Sequence, residues 1–278
     1  NGYGGFYNAD NVITIGVTFD KTVQIIGSGT PFINLNSGGT AIYDATKNDI
    51  DTNTTTDTIY FNYTVETGEN SSPLNVSSST PFNISSCSII DSIGNVAVLT
   101  LSNIHTVLKF NNITIDTTAP NDPTEWSITS TRTGSGIDDY YQYATTGNTV
   151  SVTLQFDEAV TIESTTFTSG NIAVNNDSSG DDLNTSNITH TVSYEVDSGD
   201  TEGVVGFSIT YADEAGNTNT IDNANIIAPD VDTSTTFETI TIDLTIPTIT
   251  ETTFESITGT TVVTTGDTIR IEFVSDDS

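Results

Sequence analysis

The chain has 278 residues, of which 37 are Asp or Glu and only 5 are Lys or Arg, so its formal net charge is −32. This charge excludes a nucleic-acid-binding surface, which needs basic patches, and disfavours anionic membranes, whereas it favours solubility and cation binding. The single cysteine excludes a disulfide within the chain, and no apolar run is long enough for a membrane-spanning helix.

Three segments share one pattern, an alternating strand followed by an acidic sequence. VITIGVTFDKTV begins at Val12, TVSVTLQFDEAV at Thr149 and TIRIEFVSDD at Thr268. Apolar residues at every second position share one face, which is typical of a half-buried β-strand. One structural element is therefore predicted to occur three times.

Further elements occur twice. YFNYTVETGENSS (60–72) matches TVSYEVDSGDTEG (191–203), and SIIDSIGNVAVLTL (88–101) matches SITYADEAGNTNTI (208–221). The second pair contains D-x-x-G-N, a turn in which the Asp side chain caps the backbone and Gly takes a positive φ. Each copy ends in an exit strand, ITIDTTAP at 113–120 and ITIDLTIP at 240–247, whose proline ends the strand and stiffens the connector.

The fold class indicated is all-β, as tandem β-sandwiches of the immunoglobulin-like (Ig-like) type. We predict domain 1 at 1–118, domain 2 at 119–246, and the first two strands of a third repeat at 247–278. Residues 1–11 read as a loop, so domain 1 is predicted to lack its first strand. Either the sequence is a window on a longer array, or strand exchange between protomers completes both ends.

The order of these motifs resembles the Ig-like or cadherin-like repeats of large bacterial and archaeal surface proteins and adhesins. The resemblance covers the alternating strand with F-[DS]-x-x-V, then D-x-x-G-N, then I-x-I-D-x-T-x-P. It implies a secreted, extended array of Ig-like domains stiffened by calcium at the junctions. Domain 1 departs from this at Lys21, which stands where domain 2 has Glu158 and puts a metal site there in doubt.

Carboxylates are predicted to converge at the junctions. With strands alternating in direction, the F-D-E-A-V loop lies at the top of its domain, and the D-x-x-G-N turn and the exit Asp lie at the bottom. This groups two sets of residues: Asp91, Asn95 and Asp116 with Asp157 and Glu158; and Asp213, Asn217 and Asp243 with Asp276 and Asp277.

Such clusters need a counter-charge, because two like charges about 4 Å apart repel by about 4 kcal/mol at an effective dielectric constant of 20. Domain 2 has one arginine and no lysine, so a hard divalent cation that takes oxygen ligands is the natural partner. We therefore expect structural Ca²⁺ at the junctions. The alternative is that the turn aspartates only cap their turns and face water.

Two other groups of residues are candidates for surface roles. Sequons in probable loops offer glycosylation candidates at Asn70, Asn75, Asn176 and Asn184. Aromatic residues could form a contact surface for glycans or a neighbouring protomer, or else pack in the core: Trp126, Tyr140, Tyr141 and Tyr143.

An enzyme is not indicated, because the chain has two histidines, no G-x-S-x-G motif and no His cluster. The predicted function is a structural segment of an extracellular stalk, adhesin or filament with calcium-stiffened linkers. Its expected partners are other copies of the chain or further Ig-like repeats. The alternative is a glycan- or protein-binding adhesive module at the tyrosines or at the 175–187 loop.

Overall fold

The structure is a computed structural model and shows an all-β protein with several sheets. It describes residues 5–47, 56–84, 86–101, 112–132, 143–169, 172–173, 187–223, 239–256, 265 and 268–275. Within these ranges, no helix has the length and apolar character needed to cross a membrane.

The N-terminal part of the chain forms a six-stranded sheet in the order β6-β3-β4-β5-β2-β7 and a two-stranded parallel pair, β1-β8. We call this part the N-terminal unit. Its strands are β1 (Gly5–Tyr7), β2 (Val12–Gly27), β3 (Phe32–Asn34), β4 (Thr40–Tyr43), β5 (Thr56–Thr64), β6 (Phe82–Asn83), β7 (Cys87–Asp91) and β8 (Ile113–Ile115).

The next part forms an eight-stranded arrangement built around one long strand, and we call it the C-terminal unit. Its strands are β9 (Glu125–Ser130), β10 (Tyr143–Ala144), β11 (Thr149–Ser169), β12 (Ile172–Ala173), β13 (Asn187–Glu195), β14 (Gly203–Ala212), β15 (Thr218–Asp222) and β16 (Thr241–Ile242). The last two strands, β17 (Ile249–Ser256) and β18 (Ile269–Ser275), pair with each other in antiparallel fashion.

Each unit has its own apolar core. The first core takes buried residues from Ile13 to Ile115, and the second takes them from Ile128 to Ile242. The alternating residues of β2 and β11 supply both, since Ile15, Val152 and Leu154 are buried. Period-two alternation therefore places the apolar side chains inward as expected from the sequence.

The long strand of each unit bends across one end of that unit, which we call the upper end. In β11, residues 149–155 pair with β9 and β13, and residues 161–169 pair with β14. The pairing with β13 shifts register between Gln155 and Val160, so the F-D-E-A-V sequence lies in an irregular stretch of the strand. The sequence prediction of a loop here is wrong, because β-ladder pairing continues on both sides of the irregularity.

The two units align residue by residue at this bend. β2 shifts register between Thr18 and Val23, and its second half then pairs with β7 as that of β11 pairs with β14. The first residues also differ from the prediction of a loop, because β1 is a strand that pairs in parallel with the exit strand β8. In the C-terminal unit, β10 pairs in parallel with β16 in the same way.

A buried histidine holds the bend of the C-terminal unit. His190 is fully buried, and its Nε2 lies 3.0 Å from the carbonyl oxygens of both Val160 and Asn187. Carbonyls only accept hydrogen bonds, so Nε2 carries the proton and donates to them. The counterpart of His190 in the N-terminal unit is Ile59, which is also buried. His190 pairs with Leu154 of β11, and Ile59 pairs with Val17, the equivalent residue of β2.

We expect His190→Leu, which keeps much of the volume but removes the donor, to destabilise the C-terminal unit by about 1–3 kcal/mol, because the buried carbonyl of Val160 loses its side-chain partner. The measurement is urea unfolding followed by the fluorescence of Trp126, the only tryptophan in the chain. Trp126 packs on the second core and so reports on this unit. An unchanged midpoint would show that His190 acts only by packing.

Candidate functional site

The D-x-x-G-N turn of the C-terminal unit lies at the upper end of its own unit, because β14 ends at Ala212, opposite Thr161 just after the bend. The buried Asp213 accepts hydrogen bonds from the backbone N–H groups of Ala215 and Asn217, at 2.8 and 2.9 Å. The other Asp213 oxygen accepts from Asn217 Nδ2 at 2.8 Å. The aspartate thus caps the turn as its sequence predicts.

This turn contacts the connector that leaves the N-terminal unit. The side-chain amide of Asn217 donates to the carbonyl oxygen of Asp116 at 3.0 Å, and that of Asn219 donates to the carbonyl oxygen of Pro120 at 3.0 Å. The hydroxyl of Tyr211 donates to the carbonyl oxygen of Asn121 at 3.1 Å. Three side chains of the C-terminal unit therefore hold the backbone between the units.

The N-terminal unit holds the same connector from the other side. The backbone N–H of Thr117 donates to Asn70 Oδ1 at 2.8 Å, and the Thr117 hydroxyl accepts from the N–H of Gly68 at 2.9 Å. The N–H of Thr118 donates to Asp116 Oδ1 at 3.0 Å. The exit aspartate therefore caps its own connector, which makes hydrogen bonds to both units.

An acidic cluster forms where the connector meets the bend. Partial desolvation raises the pKa of Glu158, and the charges of Asp213, Asp157 and Asp116 raise it further. Asn121 tempers the repulsion, because its side-chain amide donates to Asp157 at 3.1 Å and its backbone N–H hydrogen-bonds to Glu158. Four carboxylates from three segments thus share one electrostatic environment, although Glu158 itself is solvent-exposed.

A groove of about 530 Å³ runs along this junction. Its walls come from both units and from the connector, and they carry oxygen and amide groups. The lining residues are Asn70, Ser71, Ser72, Thr114, Ile115, Asp116, Thr118, Ala119, Asn121 and Glu158. An ion or water can therefore reach the cluster from solvent.

The structure groups the predicted residues differently from the sequence analysis. Asp116, Asp157 and Glu158 do come together, but Asp213 and Asn217 join them in place of Asp91 and Asn95. The reason is the bend: the turn after β14 follows the bent strand to the upper end of the unit rather than to the bottom.

Asp91 and Asn95 make the same capped turn at the far end of the N-terminal unit. Asn95 Nδ2 donates to Asp91 at 2.8 Å, and Asp91 pairs with Val23. The part of β2 that separates this end of the unit from the exit at Asp116 is roughly 20 Å long, at about 3.3 Å per residue. The hydrogen bonds from Asn95 lower the pKa of Asp91, and the positive charge of Lys21 lowers it a little further.

At the exit of the C-terminal unit, Asp243 repeats the capping role of Asp116, because its Oδ1 accepts from the N–H of Thr245 at 3.0 Å. Glu202 takes the role that Asn70 has in the first unit, accepting from the N–H of Leu244 at 2.9 Å and from the Thr245 hydroxyl at 2.6 Å. These bonds lower the pKa of Glu202. Asp276 and Asp277 lie outside the described residues.

The donor chemistry of the acidic cluster suits calcium, since carboxylates, a backbone carbonyl and amide oxygens converge on one groove. Within the described ranges, however, no three His, Cys, Asp or Glu side chains already stand as a metal-ligand set. The carboxylates are therefore near one another but not drawn into a common shell. Asp116, Asp157, Glu158 and Asp213 are the residues that would hold a cation, with the Asn217 amide already holding the connector.

The predicted aromatic surface is only partly described. Trp126 is half-buried and packs edge-on against Phe207, with ring centroids 6.1 Å apart, so it belongs to the core. Tyr143 is exposed. Tyr140 and Tyr141 and most of the 175–187 loop lie outside the described residues.

Two of the four glycosylation candidates are described. Asn70 is exposed, but its amide is engaged with Thr117 and Thr118 at the connector. Asn75 is half-buried, and its Oδ1 accepts from the N–H of Val76. Asn176 and Asn184 lie outside the described residues.

Sequence reasoning missed the side chains that hold the connector, namely Asn70, Tyr211 and Asn219. A signal was available for Asn219, because its place two residues after D-x-x-G-N puts it on the same face as Asn217 in an extended strand. Tyr211 carried none, since an alternating strand predicts only that it is buried. Its hydroxyl finds Asn121 by tertiary packing alone.

The sequence matches no protein-family model and no curated protein.

We expect Asn217→Ala to loosen the junction, because it removes the hydrogen bond to the Asp116 carbonyl, worth about 1 kcal/mol. The measurement is the distance distribution between spin labels at Thr58→Cys and Gln155→Cys in a Cys87→Ser background. Asn95→Ala is the matched control, since its amide caps the equivalent turn but makes no hydrogen bond to a connector. Equal distance distributions in the two variants would show that Asn217 does not set the angle between the N-terminal and C-terminal units.

Proposed function

We propose that this chain is a structural segment of an extracellular stalk, adhesin or filament, built from tandem Ig-like domains whose connectors are stiffened by calcium. The observation that carries this proposal is the junction itself. A short connector is hydrogen-bonded to both units, and four carboxylates surround it with no lysine or arginine among the residues that act on Glu158.

Stiffness arises in two steps in this proposal. The hydrogen bonds of Asn217, Asn219 and Asn70 hold the connector backbone in one conformation. Repulsion among the four carboxylates opposes this arrangement, because like charges at short range cost free energy even near a surface. A bound divalent cation supplies the opposite charge, and the closed junction then resists bending.

The surface chemistry supports an extracellular structural role over catalysis. The net charge of −32 keeps neighbouring segments apart and soluble, which suits an extended array. Among the described residues, burial strongly raises the pKa of three tyrosines, Tyr63, Tyr194 and Tyr211. All three pack in the two cores, and the hydroxyls of Tyr63 and Tyr211 also form hydrogen bonds.

We expect calcium to raise the melting temperature of the C-terminal unit, read by Trp126 fluorescence, by a few degrees relative to chelator. Free calcium at one hundred times its dissociation constant adds about 2.7 kcal/mol to the folded state. Glu158→Gln should abolish most of this shift. A wild-type chain with the same midpoint in calcium and in chelator would contradict the calcium role.

Asp20→Asn is the matched control for the calcium experiment. Asp20 stands in the bend of the N-terminal unit where Asp157 stands in the C-terminal unit, but its neighbour is Lys21 rather than an acid. We expect Asp20→Asn to keep the full calcium response. A loss of the response in this variant would show that the effect comes from net charge and not from the junction.

The raised pKa of Glu158 also predicts a pH dependence in chelator. Folding disfavours the ionised carboxylate, so the stability that its protonated form contributes is present below the unfolded pKa, about 4.3, and is lost as pH rises through the folded pKa. Glu158→Gln should therefore match wild type near pH 4 and become the more stable of the two toward pH 7. Melting curves of both proteins across this pH range test the direction of the effect. A stability advantage of Glu158→Gln over wild type that is largest at low pH would refute it.

A further inference from the structure

The bent strand of the N-terminal unit has an open edge where that of the C-terminal unit is covered. Residues 150–155 of β11 pair with β13 on one side and β9 on the other. The equivalent residues of β2, Ile13 to Thr18, pair with β5 on one side, and within the described ranges no strand pairs with the other. This edge contains neither a charged residue nor a proline, which are the usual protections of an exposed edge.

The core beneath this edge is correspondingly less covered. Leu154 and Phe156 of β11 are buried, whereas the matching Val17 and Phe19 of β2 are half-buried. In the C-terminal unit, Trp126 of β9 lies opposite Leu154 and packs on that core. A strand placed on β2 in the position of β9 would therefore cover apolar surface as well as pair the backbone.

The turn at the upper end of the N-terminal unit presents an apolar surface. Ile93, Val96 and Val98 are 83%, 65% and 85% exposed. Their counterparts in the C-terminal unit are Ala215, Thr218 and Thr220, which flank the asparagines that hold the first connector. The N-terminal unit thus has a turn capped in the same way by an aspartate, but with an apolar surface.

The two connectors of the chain differ in polarity, as the two turns do. The first, Asp116–Pro120, carries Thr117 and Ala119 where the second, Asp243–Pro247, carries Leu244 and Ile246. Ile246 is 80% exposed. Leu244 packs on the core of its own unit, so Ile246 is the apolar side chain that the second connector offers. The polar connector lies on the polar turn, and Ile246 has the character that the apolar turn of the N-terminal unit would accept.

Charge is complementary at the same place. At the first junction the exit residue Asp116 faces Glu158, which repels it. The residue that stands at the Glu158 position in the N-terminal unit is Lys21, which is exposed. An exit aspartate docked there meets a cation of the protein itself and needs no metal.

We propose that the upper end of the N-terminal unit binds residues 243–256 of a second copy of this chain. The connector Asp243–Pro247 of the second copy lies over the turn at Ile93–Val98, with its Asp243 beside Lys21. Its β17 strand then adds to β2 in the register of β9, which places Phe254 opposite Ile15. The chain already contains this arrangement once, because residues 116–130 lie on the C-terminal unit in the same way.

Among the described residues, β17 pairs with β18 alone, so little pairing is lost when it leaves. The pair β17–β18 stands as a two-stranded sheet, and an isolated pair of strands is marginally stable in water. Ile271 of β18 is 50% exposed, whereas the matching Val152 of β11 is buried. On β2, by contrast, the incoming strand completes an existing sheet and core, so repeated exchange joins copies end to end.

The first experiment is a disulfide test of the register. Two chains are prepared in a Cys87→Ser background, one with Thr14→Cys and the other with Glu255→Cys, since these positions face each other when β17 takes the place of β9. Mixing and oxidation should give a covalent dimer in high yield, and each variant alone should give little. The control mixes Glu255→Cys with Thr220→Cys, which lies on the C-terminal unit. A dimer of Thr14→Cys with Glu255→Cys that is no more abundant than this control would overturn the proposal.

The second experiment tests the charge pairing by light scattering across protein concentration. The 278-residue chain should associate in chelator as well as in calcium, so this result is separate from the calcium proposal. Lys21→Glu should raise the dissociation constant about tenfold or more, because it sets like charges together. Adding Asp243→Lys to that variant should restore association, and Glu158→Lys, at the equivalent position in the other unit, should leave it unchanged.

A chain that stays monomeric up to high micromolar concentration overturns the proposal, and so does association that Lys21→Glu leaves unaltered. If a longer version of the chain covers the β2 edge with its own upstream residues, the mixed disulfide does not form in that version, and the second copy is not the occupant.

Discussion

The bend in the long strand of each unit is the constraint on which the rest of the molecule depends. Because β11 crosses from one set of partners to the other at Gln155–Val160, its second half brings β14 and the turn after it back to the upper end. His190 holds this crossing by donating to Val160 and Asn187. Without the bend, Asp213 and Asn217 would lie at the other end of the unit, and the connector would have no partner there.

The same bend explains how a short connector becomes a rigid one. Its carbonyl groups cannot be satisfied within a strand, since proline at position 120 ends the ladder. The side chains of Asn217, Asn219 and Tyr211 satisfy them instead. Each bond contributes only about 1 kcal/mol, but together they replace the free rotation of the connector with one conformation. The acidic cluster then tunes this junction, because its charge state decides how much repulsion the hydrogen bonds must offset.

The sequence predicted the all-β fold well and the site only in part. Alternation in β2 and β11 identified the strands and their buried faces, because period two depends on local geometry alone. The grouping of Asp91 with Glu158 failed, since an ideal sandwich gives no sign that F-D-E-A-V continues a strand across the end of the unit. The strand at Gly5–Tyr7 was missed because three residues with a glycine carry no periodicity, and only the exit strand beside them makes them a strand.

The two bends carry different charges, so under our proposals one scaffold provides two kinds of junction. Where Glu158 follows Asp157, the exit aspartate of the preceding unit lies among further carboxylates, and in our proposal a cation from solution offsets their repulsion. Where Lys21 follows Asp20, the positive charge is built in and acts on Asp91 of its own turn. The apolar residues at Ile93, Val96 and Val98 strengthen the second kind, because burial of apolar surface is independent of ions in solution. A connection between separate molecules must form from dilute partners, so the metal-independent junction suits it. A connection within one chain forms at high effective concentration, so a junction that calcium stiffens, as we propose, can serve there.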